Sequence, residues 1–83
     1  MNALDLTTKL LRACLQLSPS EPLSRETALL GGFPEFNSLT ITTLILEIEE
    51  RLDCEIADHE LTSELFETVG TLADFIDSKM VHA

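Results

Sequence analysis

The stretch from Ser38 to Leu52 leaves the fewest choices to this chain. At about 100° per residue, Ile41, Leu44, Ile45, Ile48 and Leu52 fall on one narrow stripe. That period is helical, and such a stripe must face a core. Asn37 is a good N-cap residue, so the helix should begin near Asn37 or Ser38 and run to about Leu52. A loop with Gly31, Gly32 and Pro34 leads into it, and the acidic run Glu47-Ile48-Glu49-Glu50 lies near its end.

The rest of the chain has to cover that stripe with little material. Its 83 residues make one domain, residues 1–83, with a modest core. A hydrophobic fraction of 45% is enough for folding despite a net charge of -10. The apolar residues are mostly Leu and Ile, with no Trp or Tyr, which favours helices over a sandwich or barrel. The expected fold is all-α, a small four-helix bundle of three longer helices and one short one.

The first helix spans Leu4 to Leu17, with Leu4, Leu11, Cys14 and Leu15 at helical spacings and Leu10 and Leu17 widening the stripe. Asn2 or Asp5 can cap it, and Ser18-Pro19-Ser20-Glu21-Pro22 stops it. Residues 18–36 read as a long, partly ordered loop pinned by Leu23, Leu29, Leu30 and Phe33; loops of this length are often functional. Residues 53–58 read as a second loop, with Ile56 pointing inward. A short helix follows near His59 to Leu65, with Asp58 as its cap. The last helix starts near Glu67 or Thr68 and runs to about Met80 on Val69, Leu72, Phe75 and Ile76; Gly70 weakens its first turn, and the tail 81–83 frays. The core should unite Leu11, Leu15, Leu44, Ile45, Ile48, Ile56, Val69, Leu72 and Ile76.

Charge excludes several functions. Five basic residues against fifteen acidic ones repel phosphate backbones and anionic membrane surfaces, and favour basic protein patches as partners. Cys14 and Cys54 fit no zinc or redox spacing, so reduced thiols and a cytoplasmic location are expected. The N-terminus lacks a basic n-region and a long apolar run, so it is not a signal peptide. The acids from Asp53 to Glu64 lack the EF-hand spacing and its central glycine, so no metal site is expected.

Ser38 is the candidate functional residue. Hydrolysis would need a base and an orienting acid, yet His59 and His82 lie on other elements and there is no nucleophile-elbow motif. An enzyme is therefore not expected. Capping alone would account for a serine or asparagine at a helix start. Beside Ser38, however, Leu39 and Leu46 fall off the core stripe, together with Thr42, Thr43 and Glu50, and form a small sticky patch.

The ordered set Asn37-Ser38-Leu39, Glu47-Ile48-Glu49-Glu50, Asp53-Cys54-Glu55-Ile56 and Thr68-Val69 resembles the acyl carrier protein family over essentially the whole chain. The lead-in Leu30-Gly31-Gly32-Phe33-Pro34-Glu35 is also similar to carriers that accompany exosortase systems of bacterial surface sorting. The resemblance implies a monomeric carrier with phosphopantetheine esterified to Ser38 by a phosphopantetheinyl transferase. Asn37 and Leu39 flank that site. An acyl or aminoacyl group would ride on the arm as a thioester. Leu39, Thr42, Leu46, Glu49 and Glu50 would dock acyl-loading and acyl-transferring enzymes, with the acids steering and the leucines giving dry contact.

Two departures stand out. The family's aspartate before the serine is Asn37 here, which removes one charge next to the site. Thr40 and Thr43 stand where many fatty-acid carriers have acids, which favours a specialised pathway. An unmodified acidic interaction module is the competing reading. The excess of acids also makes self-repulsion a limit on stability, so lower pH or divalent cations are expected to raise Tm; a Tm moved by neither would contradict that.

Overall fold

The computed structural model describes residues 2–18 and 20–81. Three helices carry the fold: α1 (Ala3–Leu15), α2 (Ser38–Leu52) and α3 (Val69–Val81). A single 3-10 turn, Asp58–Glu60, takes the place of the short fourth helix. The architecture is all-α, and no strand forms among the described residues beyond one isolated bridge, Ala28 to Thr68.

Each helix end has a local cause. Asn2 caps α1, its side chain accepting from Asp5 N at 2.8 Å. Gln16 turns left-handed (φ 54°) and ends α1 two residues before the expected Leu17. Leu17 remains partly buried against the core. Pro19, which the sequence assigns to that stop, lies outside the described residues, as do His82 and Ala83 of the tail. Asp53 plays the same left-handed role after α2 (φ 50°). At the start of α3, Thr68 and Thr71 exchange hydrogen bonds between hydroxyl and backbone N–H, 3.1 and 3.2 Å long.

All nine expected core residues are buried, and Leu11, Leu44, Ile48, Val69, Leu72 and Ile76 are fully so. Leu6, Leu10, Leu29, Leu65 and Phe66 join them. Thr7 is buried too, its hydroxyl donating to Ala3 O within the helix at 2.6 Å.

The long loop 18–36 is fastened by its backbone. Gly70 N donates to Arg25 O (2.9 Å), Val69 N to Thr27 O (2.9 Å), Leu29 N to Glu67 O (3.0 Å) and Leu30 N to Phe66 O (3.1 Å). Gly70 belongs here: a Cβ on it would sit 2.9 Å from Arg25 O. Leu29 goes to the core at a bend, while Leu30, expected to pin the loop, lies in the tight turn that follows, closed by Gly32 N and Phe33 N donating to Leu29 O, and is 41% exposed.

The expected helix at 59–65 yields to tight turns. Leu65, Phe66 and Glu67 donate to carbonyls three residues back, and the Thr62 hydroxyl also accepts from Leu65 N. Hydroxyl side chains of this kind compete with helical pairing. Asp58, expected as the cap, lies inside the 3-10 turn, and Ala57 precedes it. Glu60 fixes the turn by accepting from Ala57 N (2.9 Å) and from Lys79 Nζ on α3 (2.7 Å).

The hydrogen bond from Lys79, then that from Ala57 N, hold the Glu60 carboxyl below its ordinary range. A carboxyl depressed on folding contributes stability above its unfolded pKa and loses it as pH falls through the folded one. The Tm gap between the parent and Glu60→Gln is therefore expected to be widest near neutral pH and to close in acid; a gap independent of pH would contradict the pairing. Leu44→Ala is expected to cost about 2–5 kcal/mol in urea denaturation, by emptying a fully buried site.

Candidate functional site

Phe36 sets the position of the site. It is buried, and its ring packs at 55° and 5.8 Å against Phe66, in the turn before α3. Gly32 lets the preceding loop close, because a Cβ there would overlap Ala28 O at 2.1 Å. The chain then leaves the core at Asn37 and α2 begins at Ser38.

Asn37 is the N-cap of α2, extended in backbone (φ -119°, ψ -176°), and its Oδ1 accepts from Thr40 N at 3.1 Å. The Thr40 hydroxyl donates back to Glu35 O at 2.7 Å and ties the lead-in loop to the first turn. Ser38 is thus the first helical residue and not its cap. Its side chain is exposed, and no hydrogen bond among the described residues engages its Oγ. The capping role that could explain a serine here is already filled by its neighbour. The first turn of α2 carries no acid, so nothing there offsets the positive end of the helix dipole.

Next to Ser38, Leu39 is 77% exposed and Leu46 is 58% exposed, as large apolar side chains rarely are. Thr42 and Glu50 are exposed beside them. Glu49, grouped with this face in the sequence, turns away. Its Oε2 accepts from Ile56 N at 2.8 Å and holds the loop after α2. That bond joins residues seven apart, and no sequence period announces it.

A cavity of about 310 Å³ opens between α2 and the segment beyond it, walled by Ile41, Ile45, Leu46, Ile56 and Leu61, with Thr42, Glu49 and Asp58 also lining it. Sequence reasoning did not find it. Its trace is that Ile41, placed on the core stripe, is only partly buried. Cys14 and Cys54 are free and half-buried. Burial, and then the nearby Glu47 carboxylate, push the Cys14 thiol above its ordinary pKa, away from the thiolate that reacts. No group of three or more metal-ligating side chains forms among the described residues. No helix there is long and apolar enough to cross a membrane.

The chain that carries this exposed hydroxyl is similar to known proteins. The phosphopantetheine attachment site family matches residues 35–76, a span that begins just before Ser38 and ends in α3. The holo acyl carrier protein of Nitrosomonas europaea, solved by solution NMR, superposes with a TM-score of 0.85 at 32% identity, covering 99% of this chain and 100% of that one. The chain belongs to the acyl carrier protein family. Its members are carriers rather than enzymes, and their cofactor is a covalent phosphopantetheine. They engage phosphopantetheinyl transferases and acyl-handling enzymes. The Ser38 geometry fits such a group: a free hydroxyl lies beside unpaired N–H groups at the positive end of a helix, where a phosphodiester is favoured.

The cap makes a separable prediction. Asn37→Ala is expected to lower stability by about 1 kcal/mol in urea denaturation. Asn37→Asp is expected to keep or raise it, because a carboxylate accepts the same N–H and favours the dipole. An alanine variant as stable as the parent would contradict the capping role.

Proposed function

We propose that this carrier holds an acyl or aminoacyl intermediate on phosphopantetheine esterified to Ser38. The observation that carries the reading is the exposed Ser38 hydroxyl, left free because Asn37 supplies the cap. Phosphopantetheine supplies a terminal thiol that holds acyl groups as thioesters. Residues of this chain do the rest. Backbone N–H groups at the start of α2 receive the phosphodiester, with Asn37 and Leu39 flanking it. Leu39, Thr42 and Leu46 with Glu50 form the docking face; Glu49, held by Ile56 N, supports it from within. Ile41, Ile45 and Ile56 wall a cavity into which a short acyl chain can fold away from water.

We assign the whole of residues 1–83 to one carrier domain that works as a monomer in the cytoplasm and meets enzymes with basic patches. The uncharged early turns of α2 favour a specialised lipid, polyketide or peptide pathway over bulk fatty-acid synthesis. Asn37 favours one alternative, a carrier fold that stays unmodified and serves as an acidic interaction module.

Incubation with coenzyme A and a broad-specificity phosphopantetheinyl transferase, followed by intact mass measurement, separates the two. The carrier reading expects a gain of one phosphopantetheine that is lost in Ser38→Ala. A gain only in Asn37→Asp would mean that the site is formed but disabled by the missing charge. No gain in either protein would favour the interaction module.

A further inference from the structure

The five basic residues of this chain are not used alike. Arg12 donates to Glu21 O at 2.8 Å, Arg25 reaches both Asp74 oxygens at 3.0 Å, and Lys79 reaches Glu60 at 2.7 Å. Among the described residues, Lys9 and Arg51 make neither an ion pair nor a side-chain hydrogen bond. Both line one cleft of about 370 Å³ between α1 and α2. Leu10, Cys14 and Thr43 give it apolar or neutral walls, and the Thr43 hydroxyl is already spent on Leu39 O at 3.1 Å. Glu47, one turn before Arg51, offsets one of the two cations, so the cleft stays positive on a chain of net charge -10.

The cavity on the other side of α2 has the opposite character. Glu49 and Asp58 line it with the isoleucines, and no cation does so among the described residues. An uncharged acyl chain suits that cavity, whereas a carboxylate there would lose hydration while facing two like charges. The cleft between α1 and α2 offers the reverse: apolar walls for methylenes and two free cations for a terminal carboxylate. It also runs beside the attachment site, from Thr43 to Arg51, about 8 to 20 Å along α2 from Ser38.

We infer that the cleft between α1 and α2 shelters a carboxyl-ended acyl group, the half-thioester of a dicarboxylic acid, with Lys9 and Arg51 holding its free carboxylate. The inference rests on Ser38 being the attachment site, and it names the class of cargo. Attachment makes the contact intramolecular, so exposed cations too weak to capture a free acid can hold a tethered one. Lys9 stands on α1 and Arg51 on α2. A carboxylate set between them bridges the two helices, which a plain alkyl chain cannot do.

The test compares two arms of equal length, glutaryl- and pentanoyl-phosphopantetheine, each loaded onto Ser38 from its coenzyme A thioester by a broad-specificity transferase. At neutral pH and low salt the glutaryl form is expected to melt about 3 °C or more above the pentanoyl form. Self-repulsion alone gives the opposite sign, because the glutaryl arm adds a negative charge to an acidic protein. Replacing both cations, Lys9→Gln with Arg51→Gln, is expected to abolish that gap, and Glu47→Gln to widen it. Each gap is read within one variant, so a general loss of stability cancels. Amide NMR signals of Cys14 and Thr43 are expected to move with glutaryl and to stay with pentanoyl. Lys9 and Arg51 are exposed, and helicity measured in parallel confirms that the variants fold. A glutaryl form that melts at or below the pentanoyl form, a gap that survives the paired Gln variant, or equal amide shifts with both arms would overturn the inference alone. A parent and an Asn37→Asp variant that both refuse the arm would remove the Ser38 reading and this inference with it.

Discussion

One hydrogen bond organises the functional end of this molecule: Asn37 Oδ1 accepting from Thr40 N at 3.1 Å. It fixes where α2 begins, and it decides which of two adjacent polar side chains is used up. Had Ser38 been the cap, its hydroxyl would be spent on the backbone and the chain would start its helix one residue later. With Asn37 in that role, Ser38 enters the first turn with its Oγ free. The amide also sets the local electrostatics, since it keeps the geometry of the cap while placing no charge beside Ser38.

The cap works only because the loop before it is held. Phe36 is anchored on Phe66, and residues 25–30 pair by backbone with 66–70, so the approach to α2 is tied to the start of α3. The same economy recurs beyond α2. Glu49 reaches forward to Ile56 N, and Glu60 links its turn to Lys79. Asp74 on α3 likewise accepts from Arg25 of the loop at 3.0 Å, so in a chain with fifteen acids at least three carboxylates act as fasteners.

Periodic information was legible in the sequence, and paired information was not. The stripe from Ile41 to Leu52 gave α2 its limits, and Val69, Leu72 and Ile76 placed α3, because helical spacing is a local property of the chain. The bond from Leu29 N to Glu67 O depends on two distant segments meeting, and neither announces the other. For that reason the fastening of loop 18–36 is not legible in the sequence, and Leu30, expected inward, is turned out by the tight turn that starts at Leu29. The segment 59–65 misled for a different reason. Its apolar residues fit a helix, but Thr62 and the tight turns after it satisfy the backbone locally. At the site, Ser38, Leu39 and Leu46 could be read from position and helical angle. The engagement of Glu49 and the cavity walled by Ile56 and Leu61 required the fold.

The central claim is that the fold frees one hydroxyl, that of Ser38, to carry phosphopantetheine. Its most direct test is fragmentation mass spectrometry of the protein recovered from the cells that make it, with the modified peptide sequenced. The account predicts phosphopantetheine on the peptide that contains Asn37-Ser38-Leu39, localised to Ser38. Phosphopantetheine on another serine, or a wholly unmodified population, would contradict it.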